Sequence, residues 1–407
     1  MRRPRSGKPT AILLTHRIPY PPDKGDKIRS YRLLRYLAER YEVALGTFVD
    51  DADDWRHVAH LETLCAEVFA RPLTPRVAAL RSVRALATGQ PITLARYADP
   101  RLAAWTGRRM TRRPALRVGF SAGVMPYLLD GAPVPVLADL CDADSAKWTA
   151  YAAEGRGPKA GVFAREGRLL AAYEAEVTRR ADRTFLVTPE EAEIVRALPG
   201  ADASRVDHYR NGVDTDHFAP GAVAPQPDGA DVVLTGAMDY RPNAAGADWF
   251  ARRVWPSVLA KHPGATFAIV GARPTQAVRA LARRPGVTVT GRVPDVRPWL
   301  AAARVAVAPL GVARGVQNKV LEAMAMGTPL VASANAARGT QAVPGAHLMT
   351  ADRADEMTRA VLSLLDDPAR AEALARAGRD LAVTRFGWDA ALARFGAALP
   401  EGPSRPR

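Results

Sequence analysis

Residues 305–329 decide how this chain is read: Val305-Ala306-Val307-Ala308, then Pro309 and Leu310, then GVARGVQNKVLEAMAMGTP from Gly311 to Pro329. A short apolar run ended by a proline has the composition of a buried parallel strand. Gly311 and Gly315 let the loop after it come close to a ligand. The spacing predicts a helix that starts near Val316 and stops at Gly327, with Pro329 two residues on. At 3.6 residues per turn Val320, Leu321 and Met324 share a core-facing side, while Lys319 and Glu322 lie one turn apart on another. The helix N-terminus and the loop amides direct partial positive charge at the strand exit, and Lys319 adds a full charge, which suits a phosphate. Glu322, one turn deeper, suits a pair of sugar hydroxyls, since a carboxylate accepts two hydrogen bonds. The competing reading of the same residues is a solvated Lys319–Glu322 pair on an ordinary core helix.

Outward from this stretch, strands alternate with helices. Residues 11–14, 43–48, 116–120, 134–139 and 183–187 read as strands, and residues 26–39 as a helix with Ile28, Tyr31, Leu34 and Leu37 inward. Thr188 caps a further helix, with Pro189 at its first position and Glu191 completing a capping box. A boundary falls near residues 205–220, and the alternation restarts with strands at 231–235, 266–270, 287–290, 305–308 and 330–332. Gly236, Gly271, Gly291 and Gly311 follow four of these five strands closely, at the carboxyl ends where ligands bind in open α/β sheets. Repeated units of this kind mean doubly wound parallel sheets. Two halves are expected to face a cleft: residues 1–205, residues 206–385, and a segment 386–407 returning to the first half. In that last segment Trp388, Leu392, Phe395 and Leu399 follow a helical stripe that must pack on something.

At 407 residues the chain has room for two cores, and its composition is that of an ordinary globular protein. Cys65 and Cys141 give no metal spacing and no disulfide framework. No apolar run approaches a bilayer-spanning length, and the basic start carries too short an apolar run for a signal peptide. The expectation is a cytoplasmic protein. The formal charge of +15 is uneven: residues 71–117 hold eleven arginines against one acid, Asp99. Leu73, Val77, Leu80, Val83 and Leu86 interleave there with Arg71, Arg76, Arg81 and Arg84 at helical spacing, and Arg108, Arg109, Arg112 and Arg113 form a second cluster. Such a surface favours an anionic partner: a membrane leaflet or a lipid-linked diphosphate. Nucleic acid is disfavoured, because neither a nucleic-acid motif nor aromatic interleaving accompanies the patch. A solvated face of an arginine-rich protein is the competing reading.

Several stretches together resemble family 4 glycosyltransferases. They are Arg210-Asn211-Gly212-Val213-Asp214 with Phe218 and Pro220, the Lys319–Pro329 run, and Gly291-Arg292-Val293 with Asp295 upstream. The stretch 235–243, TGAMDYRPN, with Trp249-Phe250 resembles the opening of the donor domain in one branch of that family. Residues 15–30 and 142–148 resemble sugar transferases associated with bacterial exosortase and exopolysaccharide systems. The resemblance spans nearly the whole chain. It implies a GT-B fold of two Rossmann-like domains, acceptor in the first and nucleotide sugar in the second. It also implies retention of anomeric configuration, with no metal and no cofactor.

Carried over residue by residue, the resemblance gives Glu322 the nucleotide ribose and Lys319 the diphosphate. Where relatives place a donor-sugar glutamate this chain has Arg314, and where many relatives place the diphosphate-binding arginine and lysine it has Ala237 and Asn243. The donor set is then Gly236, Asn243, Gly271, Gly291, Arg292, Val293, Gly311, Gly315, Val316, Gln317 and Asn318, with Glu322, Lys319 and Arg314 nearest the chemistry. On the acceptor side, His16, Gly25, Asp26 and Asp142 follow strand exits; Asp26 doubles as a helix cap, and Lys24, Lys27 and Arg29 are candidates for phosphate. The expected partners are a nucleotide-diphosphate sugar, a glycan or lipid-linked acceptor, and an anionic membrane contacted peripherally. Two alternatives stay open: a nucleotide-sugar epimerase of the same fold, and a non-catalytic nucleotide-sugar-binding protein.

Overall fold

The computed structural model describes residues 7–22, 25–131, 133–155, 157–313 and 316–400. The chain divides into two compact units, residues 1–210 with 392–407, and residues 211–391. The first is built on a seven-stranded parallel sheet: β1 (Thr10–Thr15), β2 (Glu42–Val49), β3 (Glu67–Pro72), β4 (Leu116–Phe120), β5 (Val136–Cys141), β6 (Arg183–Leu186) and β7 (Val206–His208), in the order β3-β2-β1-β4-β5-β6-β7. The second has six parallel strands: β8 (Val232–Thr235), β9 (Phe267–Val270), β10 (Val287–Gly291), β11 (Val305–Ala308), β12 (Leu330–Ala332) and β13 (Met349–Thr350), in the order β10-β9-β8-β11-β12-β13. Each order reverses once, between β1 and β4 and between β8 and β11. A ligand crevice opens at the carboxyl ends of the strands at such a reversal.

Strands β8, β9 and β11 are buried along their whole length, which is why they read as unbroken apolar runs. Strands β3, β7 and β13 were not anticipated. β3 is half-buried throughout except for exposed Pro72, and β7 and β13 have three and two residues, too few for a pattern to show. Because β7 pairs with β6, the first unit runs on to Arg210 rather than ending at residue 205. At the other end the units part within the helix Trp388–Ala397, after Ala391 rather than at residue 386.

The helix Gly25–Ala38 corrects one expectation outright. Lys27 and Arg29 are buried and committed to carboxylates, not poised for a phosphate. Lys27 Nζ lies 2.6 Å from Asp54 Oδ2. Arg29 grips Asp139 by two bonds, Nε–Oδ2 at 2.9 Å and Nη2–Oδ1 at 3.0 Å, and donates Nη1 to the Tyr209 carbonyl at 2.8 Å. Its guanidinium also lies 3.5 Å over the Tyr209 ring, whose hydroxyl donates to Asp139. Of the expected inward residues, Tyr31, Leu34 and Leu37 are buried, while Ile28 is half-buried.

Candidate functional site

The carboxyl end of β8 meets Lys319, and the carboxyl end of β9 lies against that of β8. Gly236 follows β8 at φ +144°, and a Cβ there would lie 2.6 Å from Asn243 Nδ2 and 3.0 Å from Lys319 Nζ. Gly271 follows β9 at φ +154°, where a Cβ would sit 1.8 Å from the Gly236 carbonyl oxygen. The two glycines therefore let these strand exits lie one against the other, joined by Gly236 N–Val270 O at 3.0 Å, while Gly271 N donates to the Gly291 carbonyl at the end of β10 at 3.2 Å. Asn243, buried in the helix Arg241–Trp249, donates Nδ2 to the Ala237 carbonyl at 2.9 Å and accepts the Lys319 ammonium on Oδ1.

Lys319 stands in the first turn of the helix Asn318–Ala325, shorter than the span read from sequence; Gln317, at its N-cap, makes no side-chain cap hydrogen bond. No side chain caps this end, where the helix dipole places partial positive charge. Val320, Leu321 and Met324 are buried, as their spacing required, and Lys319 and Glu322 are half-buried. Lys319 and Glu322 form no ion pair: the ammonium is turned to Asn243, so the solvated-pair reading fails. Burial pulls the Lys319 ammonium down to about 8 and pushes the Glu322 carboxyl up to about 7, each partly offset by the other's charge.

The rest of the expected donor set lies around this core to differing degrees. Gly291 ends β10 at φ +69°, exposed Arg292 follows, and Val293 is half-buried against the hydrophobic core. Val316, Gln317 and Asn318 are half-buried at the helix entry. The Gly311 carbonyl accepts Asn335 Nδ2 at 2.7 Å, but a Cβ at Gly311 would meet open space, so sterics do not require a glycine there. Arg314 and Gly315 lie outside the described residues, as does Lys24.

In the first unit, His16 follows β1 and lies with Nε2 3.4 Å from Asp26 Oδ2. Arg17 bridges Asp26 (Nη1–Oδ2, 2.6 Å) and Asp50 (Nε–Oδ2, 2.9 Å). Asp26 lies within the first turn of its helix rather than at the cap. Burial works against its charge, yet the His16 hydrogen bond and the Arg17 charge hold its carboxyl well below the usual range. His16 stacks on Phe120 with centroids 5.7 Å apart, and its Nδ1 is buried with no hydrogen-bond partner. Gly25 and Asp142 are exposed, on the helix start and on the loop after β5. Asp144, beside Asp142, has its carboxyl pushed up by burial. Sequence reasoning missed the Arg17–Asp50 half of this network, whose signal was an arginine and an acid closing neighbouring strands.

Residues 229–367 match the family described as Glycosyl transferases group 1. The chain is 32% identical over 225 residues to D-inositol 3-phosphate glycosyltransferase 2 of Catenulispora acidiphila, a match covering 48% of this chain and 51% of that protein. It is 28% identical over 229 residues to D-inositol 3-phosphate glycosyltransferase of Kribbella flavida, covering 50% and 53%. The chain thus spans about half the length of the curated relatives it matches. Among solved structures, the sucrose-phosphate synthase of Thermosynechococcus elongatus superposes with a TM-score of 0.68 at 20% identity, over 95% of this chain and 98% of that one. Anabaena HepE in complex with UDP superposes at 0.64 and 15% identity, over 96% and 99%. These likenesses give the fold as GT-B, two Rossmann-like parallel-sheet units, and the match to the glycosyl transferases group 1 family lies within the second unit.

Proposed function

We propose that this chain is a glycosyltransferase of the hexosyl-transferring kind, moving a sugar from a UDP- or GDP-linked donor to an acceptor hydroxyl. The observation that carries the proposal is Lys319: a lysine in an uncapped helix start, held by one neutral amide where two strand exits meet. An ammonium so placed, with no carboxylate paired to it, suits a diphosphate. As the donor bond breaks, charge grows on the departing diphosphate, and Lys319 with the helix amides stabilises it there. Glu322 takes the nucleotide ribose. Arg314 is assigned a donor contact by its place in the motif alone. The complexes of HepE with UDP and with UDP-glucose support the same class of donor.

The motifs resembling family 4 support a retaining, metal-independent reaction. Those resembling exosortase-associated enzymes support a glycan or lipid-linked precursor of a cell-surface polysaccharide as acceptor. His16, Gly25, Asp26 and Asp142 would meet that acceptor in the first unit, on a cytoplasmic protein that touches the anionic membrane peripherally. No described helix is long and apolar enough to cross a membrane.

A panel of UDP- and GDP-sugars, assayed for released nucleotide with and without membrane extract, tests the reading. Acceptor-dependent release that falls at least about 100-fold in Lys319→Ala, the size of loss when one donor to a transition-state anion is removed, is expected. Release that ignores the acceptor, or survives both Lys319→Ala and Glu322→Ala, would refute it.

A further inference from the structure

We infer that the outer face of the helix Pro75–Thr88 is a docking surface for an anionic lipid bilayer. The inference deepens the membrane contact proposed above and rests on it. The helix is well made: Thr74 caps it through Val77 N at 3.4 Å, and Gly89 closes it in the left-handed conformation at φ 75°. Its inner side is fixed to the first unit. Ala85 is buried, Arg81 donates to the Arg96 carbonyl at 3.2 Å and lies 3.6 Å from Asp99, and Arg165 donates to the Ala85 carbonyl at 3.2 Å.

The outer side is apolar and solvated. Leu80 is 73% exposed, Val83 66%, Leu86 43% and Val77 41%. Stepping 100° per residue, Leu86, Val83, Arg76, Leu80, Arg84 and Val77 follow one another around half the helix. Arg76 and Arg84 are exposed among these aliphatic side chains. The helix carries no acid, and Asp99, the one acid of residues 71–117, is spent on Arg71, Arg81 and the start of the helix Pro100–Met110. Arg101, Arg108 and Arg112 add exposed positive charge along the same segment.

This chemistry selects its occupant. A second copy would set arginine against arginine. A protein partner is expected to meet aromatic anchors seated in pockets, and this face is convex and has no aromatic residue. A bilayer surface accepts both parts, aliphatic side chains into the acyl boundary and guanidiniums at the phosphates.

Sedimentation of the full chain with phosphatidylcholine vesicles, with and without phosphatidylglycerol, provides the test. Wild type should bind only the anionic vesicles. Arg76→Glu with Arg84→Glu should weaken binding at least about 25-fold, at roughly fivefold per charge lost. Leu80→Asp with Val83→Asp should abolish it, while thermal midpoint and UDP or GDP binding stay unchanged because these side chains are exposed. Leu80→Cys carrying a polarity-sensitive dye should report an apolar setting on anionic vesicles only. Failure of wild type to bind anionic vesicles would sink the membrane reading and this inference together. Binding that survives both double variants would sink only the assignment to this helix. A wild-type dimer that Leu80→Asp makes monomeric, without vesicle binding, would give the face to a second copy and overturn the proposal.

Discussion

Lys319 and Glu322 were legible as a pair one turn apart, but their relation was not. What separates them is Asn243, 76 residues upstream, which no local periodicity connects to Lys319. Burial has opposite effects on the two, and a pH profile follows. Below about 7 Glu322 takes up a proton and loses acceptor strength toward ribose; above about 8 Lys319 loses the charge that holds diphosphate. Affinity for UDP or GDP should therefore peak between these values and fall by up to about tenfold per pH unit on the alkaline side. Calorimetric titration across pH 6 to 10 checks this, and Lys319→Arg should flatten the alkaline limb only, because a guanidinium stays charged. An alkaline limb unchanged in Lys319→Arg would assign it to another group. The glycines divide in the same way. Gly271→Ala would drive a Cβ into the Gly236 carbonyl and is expected to destabilise by more than about 2 kcal/mol. Gly311→Ala should stay within about 0.5 kcal/mol of wild type, since its Cβ meets nothing. Denaturant titrations of both variants decide, and both look alike in sequence: a glycine after a strand.

At the scale of the element, the helix Gly25–Ala38 shows where pattern reading runs out. Its apolar stripe was plain, but a buried arginine looks the same in sequence as a solvated one. The faint signal was that Arg29, Leu33 and Leu37 lie four residues apart on one side, pointing the guanidinium inward with the leucines. What makes that burial tolerable is Asp139 on β5, 110 residues away, a pairing only the fold can make. Arg29→Met leaves Asp139 buried with the Tyr209 hydroxyl but without a cation, so a loss of about 3–5 kcal/mol is expected. Arg29→Met combined with Asp139→Leu should recover much of it, because the double change removes both buried charges. Urea unfolding of the single and double variants measures the difference, and equal losses in the two would show that the charge pair is not the cause.

At the scale of the whole molecule, the two-sheet plan was readable because parallel strands buried on both faces are apolar runs at regular intervals. The places where the chain passes between units were readable only to within several residues, since one passage follows a three-residue strand and the other lies inside a helix. The second unit contains both layers that cover its sheet. Phe250, Trp255, Phe267 and Val361 form one, and Val213, Leu321, Leu348 and Phe386 the other, all within residues 211–391. Its two ends are tied as well, Val213 N donating to the Phe386 carbonyl at 2.7 Å. Asn243, Lys319, Glu322 and the four strand-exit glycines all belong to it. A fragment of residues 211–391 should therefore fold alone, unfold in one cooperative transition, and bind UDP or GDP within about tenfold of the full chain, roughly 1.4 kcal/mol. Sugar transfer should be lost, because His16, Asp26 and Asp142 are absent. Calorimetry and nucleotide titration of the fragment test both halves of this expectation. A fragment that folds yet binds no nucleotide would mean that the residues around Lys319 do not suffice for the donor, and the donor site would have to draw on the first unit.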